Sequence, residues 1–140
     1  MENFKLVGFD YIVNIDVTDP KLQSAFATKD EAYRIKIDKQ EAQINAEKYV
    51  GFVHALETFM QSITCDKYHV TNCSMIKLPI SIEDEPAFLW RSIMVDTARH
   101  YQPIHLLYET VDALMYNKMS VMHWHIVDED SFPLSLDSHP

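Results

Sequence analysis

The chain has 140 residues and a formal net charge of −9. That acidic balance argues against nucleic acid as a partner, because no basic patch is available to neutralise phosphates. No apolar run approaches the roughly 20 residues of a membrane span, and no signal peptide is visible at the first residues, so we expect neither in this chain. The length allows one modest domain, or a small domain joined to part of another.

Alternating apolar and polar residues predict three strands in the first part of the chain. The stretches Phe9–Val17, Tyr33–Ile37 and Ala42–Ala46 all show this period of two. Residues 21–30 are polar and are expected to form a loop, whereas residues 38–41 should make a tight connection. We expect the strands to form an antiparallel sheet.

The spacing of the apolar residues then changes to that of a helix, which is predicted over residues 47–63. Its apolar stripe is expected to pack on one face of the sheet and comprises Tyr49, Val50, Phe52, Val53, Leu56, Phe59, Met60 and Ile63. A short strand is predicted around residues 74–78. Together these elements predict an α+β domain over residues 1–80.

Two cysteines, Cys65 and Cys73, lie close together in the sequence. They are either free, half-buried thiols, as in a cytosolic protein, or a disulfide that closes a short hairpin in an oxidising compartment. The spacing is a poor zinc signature. Asn72-Cys73-Ser74 is also a formal glycosylation sequon, so Asn72 is a candidate glycosylation site.

A linker is predicted over residues 81–90, since Pro79, Pro86 and an acidic cluster disfavour helix there. Beyond it, residues 93–96 are expected to form a buried strand, a helix should begin at Pro103, and residues 119–127 should form a second apolar strand. The predicted stripe of that helix comprises Ile104, Leu107, Tyr108, Val111, Leu114 and Met115. Strand, helix and strand predict the first β-α-β unit of a TIM barrel over residues 91–140. The barrel would be incomplete, because a closed one needs roughly 250 residues.

Ionisable residues follow both predicted strands, where a barrel keeps its active site. Arg99 follows the first strand and Asp128 the second. His123 and His125 should share one face of the second strand, with Trp124 pointing the other way, toward the helices. The two histidines suggest a metal pair, but no convincing third ligand is evident, so we expect core or pocket-wall histidines and no metal.

Three motifs together resemble the eukaryotic β-N-acetylhexosaminidases of glycoside hydrolase family 20. They are D-T-A-R-H-Y at residues 96–101, Y-N-K at residues 116–118 and H-W-H-I-V-D at residues 123–128. Residues 31–37 and 55–59 are similar to the small N-terminal domain of that family, and residues 82–88 to its interdomain connection. Departures are modest and include Ala98, Ser92 and Glu129.

The resemblance implies a parent enzyme that removes terminal N-acetylglucosamine or N-acetylgalactosamine by substrate-assisted retaining hydrolysis. Arg99 would hold the 3- and 4-hydroxyls of the sugar, and Asp128 would accept hydrogen bonds from the sugar or orient neighbouring groups. The alternative for Arg99 is a structural ion pair with Asp96 or Asp128. The family's catalytic Asp-Glu pair follows the fourth barrel strand, so no catalytic residue is expected in this chain and the chain alone should be inactive.

The resemblance also implies no cofactor, a lysosomal or secreted parent, and a homo- or heterodimer acting on glycans that end in N-acetyl-hexosamine. Two rival interpretations stay open. One is an inactive gene remnant or a non-enzymatic carbohydrate-binding or interaction module, and the other is a different barrel hydrolase.

Overall fold

The computed structural model describes residues 2–5, 12–19, 31–67, 73–75 and 78–138. The chain divides into two compact units, Met1–Ala87 and Phe88–Pro140. In chain order the elements are β1 (Glu2–Lys5), β2 (Ile12–Asp19), β3 (Tyr33–Ile37), β4 (Glu41–Lys48), α1 (Tyr49–Gln61), β5 (Ile63–Cys65), β6 (Cys73–Met75), β7 (Ile80–Asp84), β8 (Ser92–Asp96), α2 (Ile104–Tyr116) and β9 (Val121–His125). None of the helices in the described ranges is long and apolar enough to span a membrane.

The first unit contains a five-stranded sheet in the order β1-β2-β4-β3-β7. All of its neighbouring pairs are antiparallel except β2 and β4, which are parallel, with Ile15 opposite Ile44. The prediction of an antiparallel sheet is therefore wrong for this pair. β4 lies between β2 and β3, and the alternation of apolar residues is the same for either strand direction, so it carries no information on that arrangement.

The β3–β4 hairpin closes as the sequence predicts. The Asp38 carboxylate accepts hydrogen bonds from the backbone N–H groups of Gln40 and Glu41, at 2.8 and 3.0 Å. These bonds hold the pKa of Asp38 below its usual range. The predicted loop at residues 21–30 lies outside the described residues.

Helix α1 confirms the predicted helix, and Phe52, Leu56 and Phe59 of its predicted stripe lie in or against the core, but the buried surface also includes residues outside that stripe. Gly51, Ala55 and Phe59 are the buried residues of α1, whereas Met60 is 57% exposed and Tyr49 is also exposed. A Cβ atom on Gly51 would lie 2.6 Å from the carbonyl oxygen of Ala32. The core beneath the helix consists of Tyr33, Ile35, Ile37, Ala42, Ile44, Ala46, Ala55 and Phe59.

Cys65 and Cys73 form a disulfide, which decides between the two alternatives that the sequence left open. The two cysteines are register partners in the short antiparallel pair β5–β6. The predicted strand at residues 74–78 corresponds to β6, which begins at Cys73, and residues 76 and 77 lie outside the described residues. The candidate glycosylation residue Asn72 lies outside the described residues.

The predicted linker at residues 81–90 needs a correction, because most of β7 falls within it. β7 pairs with β3 along its whole length, with Ile82 opposite Ile35, and forms one edge of the sheet. Ile80 and Ile82 pack against the core. The two prolines and the acidic residues obscure this short alternating pattern.

The second unit is a β-α-β unit, as predicted. β8 and β9 are parallel neighbours, with Asp96 opposite His125 at their carboxyl ends. Leu107 and Leu114 are the buried residues of α2. The prediction of a buried strand is wrong for β8, since Ile93 and Met94 are exposed. Among the residues described in this unit, α2 is the single helix that packs beside this pair of strands.

Candidate functional site

The candidate site lies at the carboxyl ends of β8 and β9. Parallel strands end at the same edge of a sheet, so the loops that follow them are neighbours. The backbone N–H of Thr97 donates to the carbonyl of His125 at 3.0 Å, which extends the strand pairing into the first of these loops. Arg99 and Asp128 follow within three residues of the strand ends and are brought together.

Asp96 shapes the loop that carries Arg99. Its Oδ1 accepts the backbone N–H groups of Ala98 and Arg99, at 3.0 and 3.1 Å. Its Oδ2 accepts a hydrogen bond from Arg99 Nη1 at 3.1 Å. The backbone bond from Arg99, helped by the other donors and the Arg99 charge, holds the pKa of Asp96 below its usual range despite partial burial.

Asp128 shapes the second loop in the same way. Its Oδ1 accepts the backbone N–H groups of Asp130 and Ser131, at 2.9 and 3.0 Å, and its Oδ2 lies 3.2 Å from His125 Nε2. The side chain is only 10% exposed. Burial alone raises the pKa of Asp128, but these hydrogen bonds and the nearby Arg99 charge outweigh it and keep the pKa low.

Arg99 joins the two loops through a single nitrogen. Nη1 lies 3.1 Å from Asp96 Oδ2 and 3.2 Å from Asp128 Oδ2. These two carboxylates raise the pKa of Arg99, chiefly through the hydrogen bond to Asp96. Both ion pairs that the sequence analysis raised as alternatives to a ligand role are therefore present.

The opposite edge of the Arg99 guanidinium carries Nε and Nη2. Among the described residues, no hydrogen bond or ion pair involves Nε or Nη2 of Arg99. The side chain is 54% exposed. A guanidinium has five N–H donors in a fixed fork, so three donors on Nε and Nη2 stay available to a ligand.

His125 Nε2 lies 3.2 Å from Asp128 Oδ2. An ionised carboxylate can only accept hydrogen bonds, so a hydrogen bond at this contact requires the proton on Nε2. His123 and His125 share one face of β9, as predicted, with ring centroids 6.4 Å apart. On the other face, Trp124 Nε1 donates to Thr97 Oγ1 at 2.9 Å and fixes the loop after β8. The sequence analysis missed Thr97, although a tryptophan N–H usually needs such a partner.

Three side chains lie close enough together to hold a metal ion, but they are not the predicted pair of histidines. Ligand atoms of Asp96, His125 and Asp128 lie within 4.8 Å of one another. The sequence pattern shows no third ligand beside the two histidines, whereas the structure brings two carboxylates close to one of them. Arg99 contacts both carboxylates and supplies one positive charge against their two negative charges.

Comparisons with known proteins agree with the geometry. Residues 88–140 match the family model "Glycosyl hydrolase family 20, catalytic domain", and residues 11–62 match the model "beta-acetyl hexosaminidase like". Beta-hexosaminidase 1 of Arabidopsis thaliana is 36% identical over 118 residues, which cover 79% of this chain and 22% of the relative. Human beta-hexosaminidase subunit beta is 36% identical over 113 residues, which cover 81% of this chain and 20% of the relative.

Solved structures give the same result. A chitobiase of Flavobacterium johnsoniae superposes with a TM-score of 0.70 at 25% identity, covering 99% of this chain and 27% of the other. An exo-β-N-acetylglucosaminidase of Vibrio harveyi in complex with N-acetylglucosamine superposes with a TM-score of 0.68 at 26% identity, covering 89% and 18%. The chain thus spans about a fifth of the length of the curated relatives it matches. Its two units, its motifs and these relatives show that the chain belongs to the β-hexosaminidases of glycosyl hydrolase family 20.

Proposed function

We propose that this chain supplies the hydroxyl-binding corner of a β-N-acetylhexosaminidase active site. The complete enzyme would remove terminal, non-reducing N-acetyl-hexosamine residues from glycoconjugates by substrate-assisted retaining hydrolysis. The observation that carries the proposal is the geometry of Arg99, in which one edge of the guanidinium is tethered and the other is free.

The free edge of Arg99 suits a vicinal diol. The N–H bonds of Nε and Nη2 along this edge are nearly parallel and lie in one rigid plane. Each nitrogen can therefore donate to one of two neighbouring sugar hydroxyls. The tether to Asp96 and Asp128 fixes the plane before the ligand arrives, which lowers the entropy cost of binding. The ion pairs and the ligand role are therefore compatible, since they use different nitrogens.

Asp128 is better suited to orient Arg99 than to bind the sugar directly. Two backbone donors occupy its Oδ1, and Oδ2 faces both His125 and Arg99. A carboxylate has about four acceptor positions. Few remain for a sugar hydroxyl, and the carboxyl is nearly buried.

We assign residues 1–80 to the non-catalytic α+β domain of such an enzyme and residues 91–140 to the opening β-α-β unit of a TIM barrel. The parallel pair β8–β9 with its connecting helix supports the second assignment. The catalytic Asp-Glu pair would be supplied by a later strand, and the adjacent carboxylates Glu129 and Asp130 are not that pair. The 140 residues alone would then be inactive.

The disulfide between Cys65 and Cys73 supports a lysosomal or secreted location, because such bonds persist in oxidising compartments. The partners we propose are glycans that end in N-acetylglucosamine or N-acetylgalactosamine. The net charge of −9 argues against nucleic acid. Several relatives are named as enzyme subunits, which supports a homo- or heterodimer.

A non-enzymatic carbohydrate-binding module, or an inactive remnant, is the second candidate. It is favoured by the same free edge of Arg99, since a binding module needs the donors and no catalytic acid. Hydrolysis by a longer form of the protein separates this candidate from the enzyme.

The direct test is a titration of the isotopically labelled chain with N-acetylglucosamine, followed by NMR. We expect shifts at residues 96–99 and 128–131, and their loss in Arg99→Lys. Arg34→Lys is the matched control, because Arg34 forms an exposed ion pair with Glu83 in the other unit. No shift at these residues up to tens of millimolar sugar, or equal shifts in both variants, would overturn the proposal.

A further inference from the structure

Asp128 Oδ2 is contacted by two side chains that can donate hydrogen bonds to it. His125 Nε2 lies 3.2 Å from this oxygen, and Arg99 Nη1 lies at the same distance. The other carboxylate oxygen is already occupied by the backbone N–H groups of Asp130 and Ser131. Any hydrogen bond from Arg99 to Asp128 must therefore be accepted by Oδ2.

Because Oδ1 is occupied, Arg99 cannot form a contact to both oxygens, but Oδ2 offers two acceptor positions, and without another donor two neighbouring N–H groups of the guanidinium would share it. If Arg99 formed such a contact here, Nη2 or Nε would turn toward Asp128 and would be lost to a ligand. Arg99 instead contacts Asp128 through Nη1 alone. The His125 N–H fills an acceptor position on Oδ2 that the second guanidinium nitrogen would need.

We propose that His125 is a positioning residue that keeps Arg99 tethered through Nη1 and thereby leaves Nε and Nη2 open to substrate. Its effect on the sugar passes through Asp128 and Arg99, and it makes no contact with substrate. The importance of this arrangement for catalysis rests on the hydroxyl-binding function proposed above for Arg99. The effect of His125 on the orientation of Arg99 is independent of that function.

The role requires the His125 proton on Nε2 when the ring is neutral. His125 lies at the end of β9, where the strand fixes its backbone, and its register partner Asp96 lies across from it. Nitrogen chemical shifts of the imidazole in the unmodified chain report the tautomer. A neutral ring with the proton on Nδ1 would overturn the proposal without any substitution.

Substitutions test the effect on Arg99. His125→Phe keeps a flat ring and removes the donor, whereas His125→Gln removes the ring and restores an N–H donor at a similar reach. We expect hydrogen exchange at the Arg99 Nε–H and Nη2–H groups to slow about tenfold in His125→Phe, because these groups gain an acceptor. His125→Gln should return the exchange rate to that of the original chain, a rescue that a purely structural role of the ring would not produce.

Titration with N-acetylglucosamine gives the second readout in the same three proteins. We expect the sugar to shift the Arg99 Nε–H signal in the original chain and in His125→Gln, and to shift it several-fold less in His125→Phe. Equal exchange rates in all three proteins, or failure of Gln to restore the original rate, would refute the positioning role. If exchange behaves as expected and the sugar shifts nothing in any of them, the positioning role stands and the hydroxyl-binding function of Arg99 is the part that fails.

Discussion

Arg99 Nη1 lies 3.2 Å from Asp128 Oδ2, and this contact joins the loops that follow two different strands. The same nitrogen also contacts Asp96. A side chain that is tethered at one edge and free at the other combines a structural and a binding role, and substitution can separate the two.

Replacement of Arg99 by lysine should impair catalysis without unfolding the protein. In the complete hexosaminidase we expect kcat/KM to fall by a factor on the order of 10² or more, because lysine keeps the charge but loses the planar fork. The melting temperature should change little, because lysine keeps the positive charge beside the two carboxylates and the Arg99 side chain is 54% exposed. Arg34→Lys serves as the control. Near-normal kinetics with a large loss of melting temperature would show that Arg99 is structural only.

The second unit should lose stability in acid. The pKa values of Asp96 and Asp128 are lowered in the folded state, so their contribution is present above the ordinary aspartate pKa of about 3.9 and is lost as pH falls through the folded values. Both tryptophans, Trp90 and Trp124, lie in this unit, so intrinsic fluorescence during thermal melts reports on it alone.

We expect Asp128→Asn to flatten the acid dependence of these fluorescence melts. Asp38→Asn is the control, because Asp38 has a lowered pKa but lies in the first unit. An acid profile that Asp128→Asn leaves unchanged would contradict the assignment.

The 140-residue chain should not hydrolyse a chromogenic N-acetylglucosaminide. The reason is that the proposed acid and the remaining pocket walls lie outside these residues. An absorbance assay at acidic and neutral pH measures this. Turnover that a thiazoline-type inhibitor abolishes would disprove the prediction and would place a catalytic group within the chain.

Hydrogen exchange should differ between the two units. Backbone amides of β3, β4 and α1 surround a closed core, whereas β8 and β9 carry exposed apolar side chains such as Ile93, Met94 and Trp124. Strands with exposed apolar faces open more readily and tend to associate. We expect faster exchange in β8 and β9, measured by mass spectrometry. Equally strong protection in both units would count against this.

Gly51→Ala should destabilise the first unit, although alanine is the better helix former. The added methyl carbon would lie 2.6 Å from the backbone oxygen of Ala32, so the helix must move away from the chain it packs on. Such overpacking costs about 1–3 kcal/mol, against a gain of up to about 1 kcal/mol in helix propensity. Urea unfolding followed by far-UV circular dichroism measures the net loss. Gln61→Ala, at the end of the same helix, should be nearly neutral.

The sequence predicts elements well where one face is buried and the other is exposed. β3 and β4 have this pattern, and Asp38 marks the turn between them. It predicts the buried surface of α1 only in part: Phe52, Leu56 and Phe59 lie in or against the core, whereas the buried Gly51 and Ala55 carry little hydrophobic signal. It does not indicate strand direction, so the parallel pairing of β2 and β4 appears only in three dimensions.

The candidate site could be predicted in part. Arg99 and Asp128 follow from their positions after two parallel strands, and both lie where expected. The sequence could not predict that Nη1 of Arg99 contacts the carboxylates while Nε and Nη2 do not, because this depends on which nitrogen lies near which oxygen. The contact between His125 and Asp128 could not be predicted for the same reason. A sequence pattern indicates which residues are neighbours and which share a face, but it gives no distances between atoms.

The pairing of Asp96 with His125 makes the site dependent on strand alignment. If β9 slipped by one residue against β8, every side chain of β9 would change face, and Asp128 would move away from Arg99, which follows β8. Residues that fix the alignment of the two strands therefore help to hold Arg99 against Asp128, although they lie outside the site. A substitution within β8 or β9 that weakens their pairing should thus disturb the site without touching either residue.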